Sequence, residues 1–212
     1  MKVVFIKASL TGKKASWTIE PLSIAVLKSL TPPHVEIAFY DDRIERVSFD
    51  DGDLIAFSVD TFSAGRAYEL ADEFRRRGKK VVMGGAHPTL VPEEALEHAD
   101  GVVIGEAEGV WREVVEDAAR GRLKGIYRKP VNDLSGIFPD RSIFRGKSYL
   151  PVSLVETGRG CRYRCNFCCT WKLYPQRKER PVEEVVEELK RIKRTLDFAL
   201  RERFLIAAFN HL

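Results

Sequence analysis

The sequence predicts an α/β protein: a doubly wound parallel sheet over residues 1–128, a linker over 129–150, and the opening of a second α/β unit over 151–212. Three observations predict it. Short apolar runs alternate with stretches of helical period through the first 128 residues, the rhythm of a parallel sheet covered on both faces. Pro130, Gly136, Pro139 and Gly146, mixed with Arg and Lys, then break that rhythm. A fresh apolar run, Pro151-Val152-Ser153-Leu154-Val155, restarts it.

Each element carries its own signal. Val3 to Ile6 is a short apolar run suited to a buried strand. Pro21 opens a helix in which Leu22, Ala25, Val26 and Leu30 share a face, and Thr31-Pro32-Pro33 ends it. Val35 to Tyr40 alternates weakly and stops at Asp41-Asp42. Leu54 to Phe57 is the third strand, and the helix after it sets Ala64, Ala67, Ala71 and Phe74 on one stripe before Gly78. Val81 to Met83 runs into Gly84-Gly85, and a short helix from Pro92 to Ala99 leads to strand Val102 to Ile104. Ala107, Val110, Trp111, Val114, Val115 and Ala118 then recur at helical spacing before Gly121.

In the second unit, Pro181 opens a long helix with Val182, Val185, Val186, Leu189, Ile192, Leu196 and Ala199 as its apolar stripe. Glu183, Glu184, Glu187 and Glu188 near its start, with Lys190, Arg191, Lys193 and Arg194 further along, suit the helix dipole. Phe204 to Phe209 begins one more strand.

Hydrophobic residues make up 44% and charged residues 31%, the composition of a chain able to bury a core. No apolar run approaches the roughly 18 residues a membrane span needs. The N-terminal apolar stretch is too short for a signal peptide, so a cytoplasmic location is expected. The net charge of +4 is modest, but Arg and Lys crowd residues 120–180. That crowding reads equally as a solvated basic face or as an anion-binding surface.

All four cysteines lie between residues 161 and 169. A disulfide framework would spread them to close loops, and adjacent Cys168 and Cys169 are poorly placed to bridge each other. In a reducing compartment this cluster reads as metal binding. Within Gly158-Arg159-Gly160-Cys161-Arg162-Tyr163-Arg164-Cys165-Asn166-Phe167-Cys168-Cys169 the spacing is C-x3-C-x2-C. Three thiolates from Cys161, Cys165 and Cys168 can hold three corners of a [4Fe–4S] cubane and leave the fourth iron open. The amino and carboxylate groups of S-adenosylmethionine can chelate such an open iron, and an electron from the cluster can then release a 5′-deoxyadenosyl radical. Zinc prefers two separated C-x2-C knuckles, which four cysteines in nine positions fit badly. An electron-transfer cluster wants a fourth remote ligand, and no cysteine stands elsewhere. Cys169 reads as a small buried residue or a spare thiol.

The loop resembles the signature of the radical-SAM superfamily, including the strand leading in, the Gly-Arg-Gly turn and the aromatic before the third cysteine. The resemblance gives Phe167 a part in shaping the adenine pocket.

Ligands of open α/β sheets bind at the carboxyl ends of the strands. There stand Ser58, then Gly84, Gly85, His87 and Thr89, then Gly105, Glu106 and Glu108. Taken singly, such glycines are more often simple turns. Together with Pro21-Leu22-Ser23-Ile24-Ala25-Val26-Leu27, Arg66-Ala67-Tyr68-Glu69 and Ala99 to Glu108 they resemble the N-terminal domain of cobalamin-binding radical-SAM proteins. That resemblance implies a Rossmann-like (flavodoxin-like) sheet followed by the first βα unit of a partial TIM-type barrel. It also implies a corrin lying across the strand ends, an electron donor such as flavodoxin or ferredoxin, and a small-molecule substrate.

Two departures stand out. No Asp lies two before any of the four histidines, so the D-x-H-x-x-G motif is absent and histidine ligation of cobalt is not expected. The acidic segment expected after the second barrel strand is replaced by Ala207-Ala208-Phe209-Asn210-His211-Leu212, which reads as a chain cut short of a full barrel. Its last apolar stripes then lack a partner, and self-association, swapping or disorder around the final segments is expected. The full-length form reads as a methyltransferase or a catalyst of radical C–C or rearrangement chemistry. The alternatives are a non-catalytic cobalamin- or ligand-binding module with a vestigial cluster loop, and an iron–sulfur scaffold.

Overall fold

The structure is a computed structural model that describes residues 1–15 and 17–195 and the backbone of 205–209, with side chains through 192. Its larger part is a six-stranded sheet of β1 (Lys2–Lys7), β2 (Glu36–Asp41), β3 (Leu54–Ser58), β4 (Lys80–Gly84), β5 (Gly101–Val103) and β6 (Gly125–Tyr127). All strands are parallel, in the order β2-β1-β3-β4-β5-β6. The crossings are made by α1 (Leu22–Leu30), α2 (Ala64–Arg76), α3 (Ala86–Leu90), α4 (Pro92–His98) and α5 (Trp111–Ala119). The Rossmann-like architecture expected from the sequence is therefore present.

Strand β1 shows why the sheet is covered twice. Val3 and Phe5 pack with Ile24 of α1 and Trp111 and Val114 of α5, while Val4 and Ile6 pack with Ala67 and Phe74 of α2. Successive side chains of a strand point to opposite faces, so a run apolar at every position needs helices on both sides. The strand order reverses between β1 and β3. That reversal opens a crevice at the carboxyl ends of the two strands.

The loop leaving β1 is held by a buried carboxylate. Asp42 Oδ2 accepts from the Ser9 hydroxyl at 2.6 Å and from Arg66 Nε at 3.0 Å. Burial alone would raise the Asp42 pKa, but the bonds from Arg66 and Ser9 outweigh it and hold the carboxyl below its ordinary value. A depressed folded-state pKa contributes stability that is present above the ordinary carboxylate range and is lost as pH falls through the folded value. Acid unfolding of the wild type should therefore steepen below about pH 4. Asp42→Asn should flatten that limb and cost about 2 kcal/mol at neutral pH, measured by urea melts across the pH range.

Two elements of the sheet domain escape the sequence reading. Strand β6 is only three residues long, with one side chain buried, too short to show a period. His87 and Thr89, expected in a loop, stand instead on the one-turn helix α3, with Pro88 in its first turn, where a missing N–H costs nothing.

The 129–150 segment, expected as a linker, packs closely on the sheet domain. Leu134 is 1% exposed, and Phe144 joins the core, 5.9 Å edge-on from Phe39. Tyr149 donates to Asp41 Oδ2 at 2.7 Å. Pro and Gly report a broken backbone period; they do not report single large side chains that anchor the broken stretch. Phe144→Leu should cost about 1–1.5 kcal/mol by thermal denaturation, where a free linker would tolerate it without loss.

The second unit begins with β7 (Val152–Glu156) and continues through β8 (Gly158–Arg159), α6 (Thr170–Leu173), β9 (Lys178–Glu179), α7 (Val182–Thr195) and β10 (Leu205–Phe209). β7 and β10 pair in parallel, Leu205 opposite Val152 and Phe209 opposite Glu156, with α7 between them in sequence. The expected apolar stripe of α7 is corrected. Val182 and Val186 are exposed, and Glu188 is buried, accepting from Arg141 and Arg180 at 2.6 Å each. A buried guanidinium pair can turn a carboxylate inward against the hydrophobic pattern. Leu196 and Ala199 of that stripe, and Asn210 to Leu212, lie outside the described residues.

Candidate functional site

A cavity of about 360 Å³ opens over the carboxyl ends of β3, β4 and β5. Its walls are apolar low down, from Leu22, Val26 and Leu27 of α1, Ala56, Val82, Val103 and Trp111. Trp111 is held by an indole N–H bond to Thr31 Oγ1 at 2.8 Å. Higher up the lining turns polar, with Ser23 and Ser58, whose hydroxyls stand 3.0 Å apart, and Glu106 and Glu108. The far wall comes from the second unit, through Leu154, Glu156, Arg159 and Tyr174.

The glycines at the rim have distinct reasons. Gly85 has φ 108° and ψ −169°, and a Cβ there would lie 2.6 Å from the Val59 carbonyl oxygen. Only glycine occupies that backbone region freely. Gly105 has φ 81°, and a Cβ there would meet nothing within 4 Å. Thr89 ties the two loops together. Its hydroxyl donates to the Gly85 carbonyl at 2.7 Å and accepts from the Gly105 N–H at 2.9 Å.

Of the residues expected at the cofactor site, Ser58, Gly84, Gly85, Gly105, Glu106 and Glu108 line this cavity. Thr89 stands behind it as a brace. His87 faces the α2–α4 side, where Nε2 lies 2.9 Å from the Tyr68 hydroxyl and 3.3 Å from Glu94 Oε1. An apolar floor, open glycine backbone and a pair of hydroxyls suit a bulky, largely apolar heterocycle with hydrogen-bonding substituents. That is the chemistry of cobalamin's nucleotide tail and corrin edge, and the residues fit it.

Glu106 and Glu108 make ion pairs to the second unit. Arg159 reaches Glu106 at 2.9 Å, Glu108 at 2.8 Å and Glu156 at 2.7 Å, and Lys178 pairs with Glu106. Burial would lower the Arg159 pKa, but Glu156 and Glu108 drive it upward, so the guanidinium stays charged. Burial also pushes the Tyr174 phenol up, and its ring lies 5.5 Å from the Arg159 guanidinium. The crowded cations of 120–180 thus include a set turned inward onto carboxylates, Arg141, Arg159, Lys178 and Arg180, which neither a solvated face nor an anion site anticipates.

The cysteine loop projects beyond this cluster. Phe167 is 94% exposed, and Cys165 and Cys169 are exposed, so Cys169 is not the small buried residue that was one expectation for it. Cys168 donates to Thr170 Oγ1 at 3.2 Å, and Cys161 Sγ accepts the Tyr163 N–H at 3.4 Å. All four thiols are free, and among the described residues no three His, Cys, Asp or Glu groups stand together as a metal site. The donors suit an iron–sulfur cluster; their placement does not yet gather them around one.

Comparison with known proteins bears on the same regions. Residues 17–115 match the B12-binding domain family. The chain is 36% identical over 187 residues to the bacteriochlorophyllide d C-8(2)-methyltransferase of Chlorobaculum tepidum, covering 80% of this chain and 41% of that protein. It is 30% identical over 182 residues to the bacteriochlorophyllide d C-12(1)-methyltransferase of the same organism, 80% of this chain and 40% of that protein. It is 28% identical over 157 residues to the anaerobic magnesium-protoporphyrin IX monomethyl ester cyclase of Rubrivivax gelatinosus, 60% of this chain and 28% of that protein. The chain therefore spans about two fifths of the length of the two methyltransferases. No helix among the described residues is long and apolar enough to cross a membrane.

Proposed function

We propose that this chain holds cobalamin in the cavity above β3, β4 and β5 and presents it to a radical-SAM cluster loop, as the front part of a methyltransferase, a reading supported by the match of residues 17–115 to the B12-binding domain family. The observation that carries this reading is the cavity's double wall. The glycine-rimmed strand ends form one side, and Arg159, two residues before Cys161, forms the other.

In this reading Ser23 and Ser58 hydrogen-bond the polar periphery of the ligand, while Val82, Val103 and Trp111 exclude water beneath it. His87 stays bonded to Tyr68 and Glu94 and takes no place on cobalt. Cys161, Cys165 and Cys168 are the thiolates for the cluster, and Phe167 flanks the S-adenosylmethionine that would chelate its open iron. When bound, the cluster with S-adenosylmethionine supplies radical chemistry and cobalamin supplies a transferable methyl group. Cys161, Cys165 and Cys168 would hold the cluster on one short loop, and metal binding would then be coupled to ordering of that loop. Methyl transfer is favoured by the names of the two Chlorobaculum tepidum relatives, and their bacteriochlorophyllide substrate suggests a tetrapyrrole acceptor.

Anaerobic reconstitution with iron, sulfide and cobalamin tests this. The expected product holds one cobalamin and one [4Fe–4S] cluster per chain, with a cluster spectrum that shifts when S-adenosylmethionine is added. Replacing any one of Cys161, Cys165 or Cys168 by Ala should abolish the cluster, and Cys169→Ala should not. Cobalamin retained without a cluster would reduce the reading to a binding module.

A further inference from the structure

The stem of the cysteine loop is joined to the cavity rim by ion pairs that the two sites taken separately do not require. β8 and β9 form that stem, and Arg159 and Lys178 face each other across it. Both reach back to Glu106, the residue after cavity-lining Gly105, and Lys178 also donates to the Val131 carbonyl at 2.7 Å. The loop base cannot shift independently of this stem. Gly160 has φ 86°, and a Cβ there would lie 2.4 Å from the Gln176 carbonyl oxygen, so the two sides of the loop meet backbone to backbone.

We propose that Glu106, Arg159 and Lys178 form an ionic latch through which occupation of the cavity sets the position of the cysteine loop. The proposal rests on the cavity being a cobalamin site. A ligand pressing on Gly85 and Gly105 acts on Thr89, which is bonded to both, and on Glu106 one residue further. Glu106 carries the displacement to the stem, and the stem to Cys161. Arg159 and Lys178 are positioning residues in this scheme. Coupling is reciprocal, so ordering the loop must tighten the ligand by the same factor as the ligand orders the loop.

The test reads alkylation of each loop cysteine by iodoacetamide, followed by mass spectrometry, with and without cyanocobalamin, whose cyanide blocks direct thiol ligation. In the wild type, bound cyanocobalamin should slow alkylation of Cys161 and Cys165 severalfold. Glu106→Gln and Lys178→Met should each alkylate about tenfold faster without ligand, the scale of one lost charge-assisted bond. Lys178→Met should still take up cyanocobalamin but lose its effect on the thiols, and Lys178→Arg should restore it. Amide exchange in β1 and β3 should stay unchanged, separating a loosened loop from a loosened fold. Protection of the same size in the variants, or wild-type thiols indifferent to bound cyanocobalamin, would overturn the latch. If the wild type takes up no cyanocobalamin, the cobalamin reading fails and the coupling with it. Faster alkylation of the ligand-free variants would still report the latch as a purely structural clamp.

Discussion

Replacing Gly85 by Ala is expected to lower the melting temperature by about 6–12 °C and to abolish cobalamin retention at concentrations that saturate the wild type. The cause is local and twofold. The backbone at φ 108° and ψ −169° disfavours any side chain, and a Cβ would press 2.6 Å from the carbonyl oxygen and 2.9 Å from the nitrogen of Val59. Both are backbone atoms and cannot rotate away. Relief requires the β4–α3 turn to swing off the end of β3, which breaks the bond from the Val59 N–H to the Gly84 carbonyl at 2.8 Å. Together these effects cost about 3 kcal/mol, a large share of the roughly 5–15 kcal/mol that holds a domain together. The same swing lifts Thr89 from Gly105, so the rim of the cavity loses its shape with its brace. Calorimetry and dialysis against cobalamin check the two parts separately. A variant that melts like the wild type would show that the close approach to Val59 is relieved cheaply.

Arg159→Leu should have a comparable effect for an electrostatic reason. The guanidinium stands among Glu106, Glu108 and Glu156, each within 3 Å. Its deletion leaves Glu106 with Lys178 and takes the paired guanidinium from Glu108 and Glu156. A buried ion pair is weak evidence of net stabilisation, because desolvation offsets its attraction. Removing one partner is nonetheless expensive, about 3–5 kcal/mol, because the uncompensated charge stays buried. Arg159→Lys should fall between, since one ammonium cannot span three carboxylates as a planar fork does. Urea titrations give the ranking: wild type most stable, then Lys, then Leu. Equal midpoints for the three would mean that water reaches the carboxylates freely.

Much of this molecule is legible in its residues, and what is not has a common cause. The sheet is readable because strands buried on both faces leave unbroken apolar runs such as Val3 to Ile6. The glycines of the rim are readable because a ligand cleft at strand ends needs bare backbone. The inward-facing cations are not. Arg159 shows in the sequence as the middle of a Gly-Arg-Gly turn, a charged residue between two positions of backbone freedom. Lys178 carries no mark at all. Their partners Glu106 and Glu108 lie more than fifty and seventy positions away, and local pattern cannot see pairs at that distance. Phe144 is hidden for a related reason: a single aromatic in a Pro- and Gly-rich stretch has no period to announce it. Glu188 reads as a helix-dipole residue because four glutamates crowd one end of α7, and only the fold brings Arg141 and Arg180 to it.

Equilibrium dialysis of cyanocobalamin against wild type and Ser58→Phe reports whether the cavity between the strand ends and the loop stem receives cobalamin. Ser58 lines the cavity at the end of β3, so a phenyl ring there fills the space while leaving both cores intact. Saturable uptake of one cobalamin per wild-type chain, lost in Ser58→Phe at unchanged melting temperature, is the predicted result. Uptake equally tight in both proteins, or none in the wild type, would contradict it.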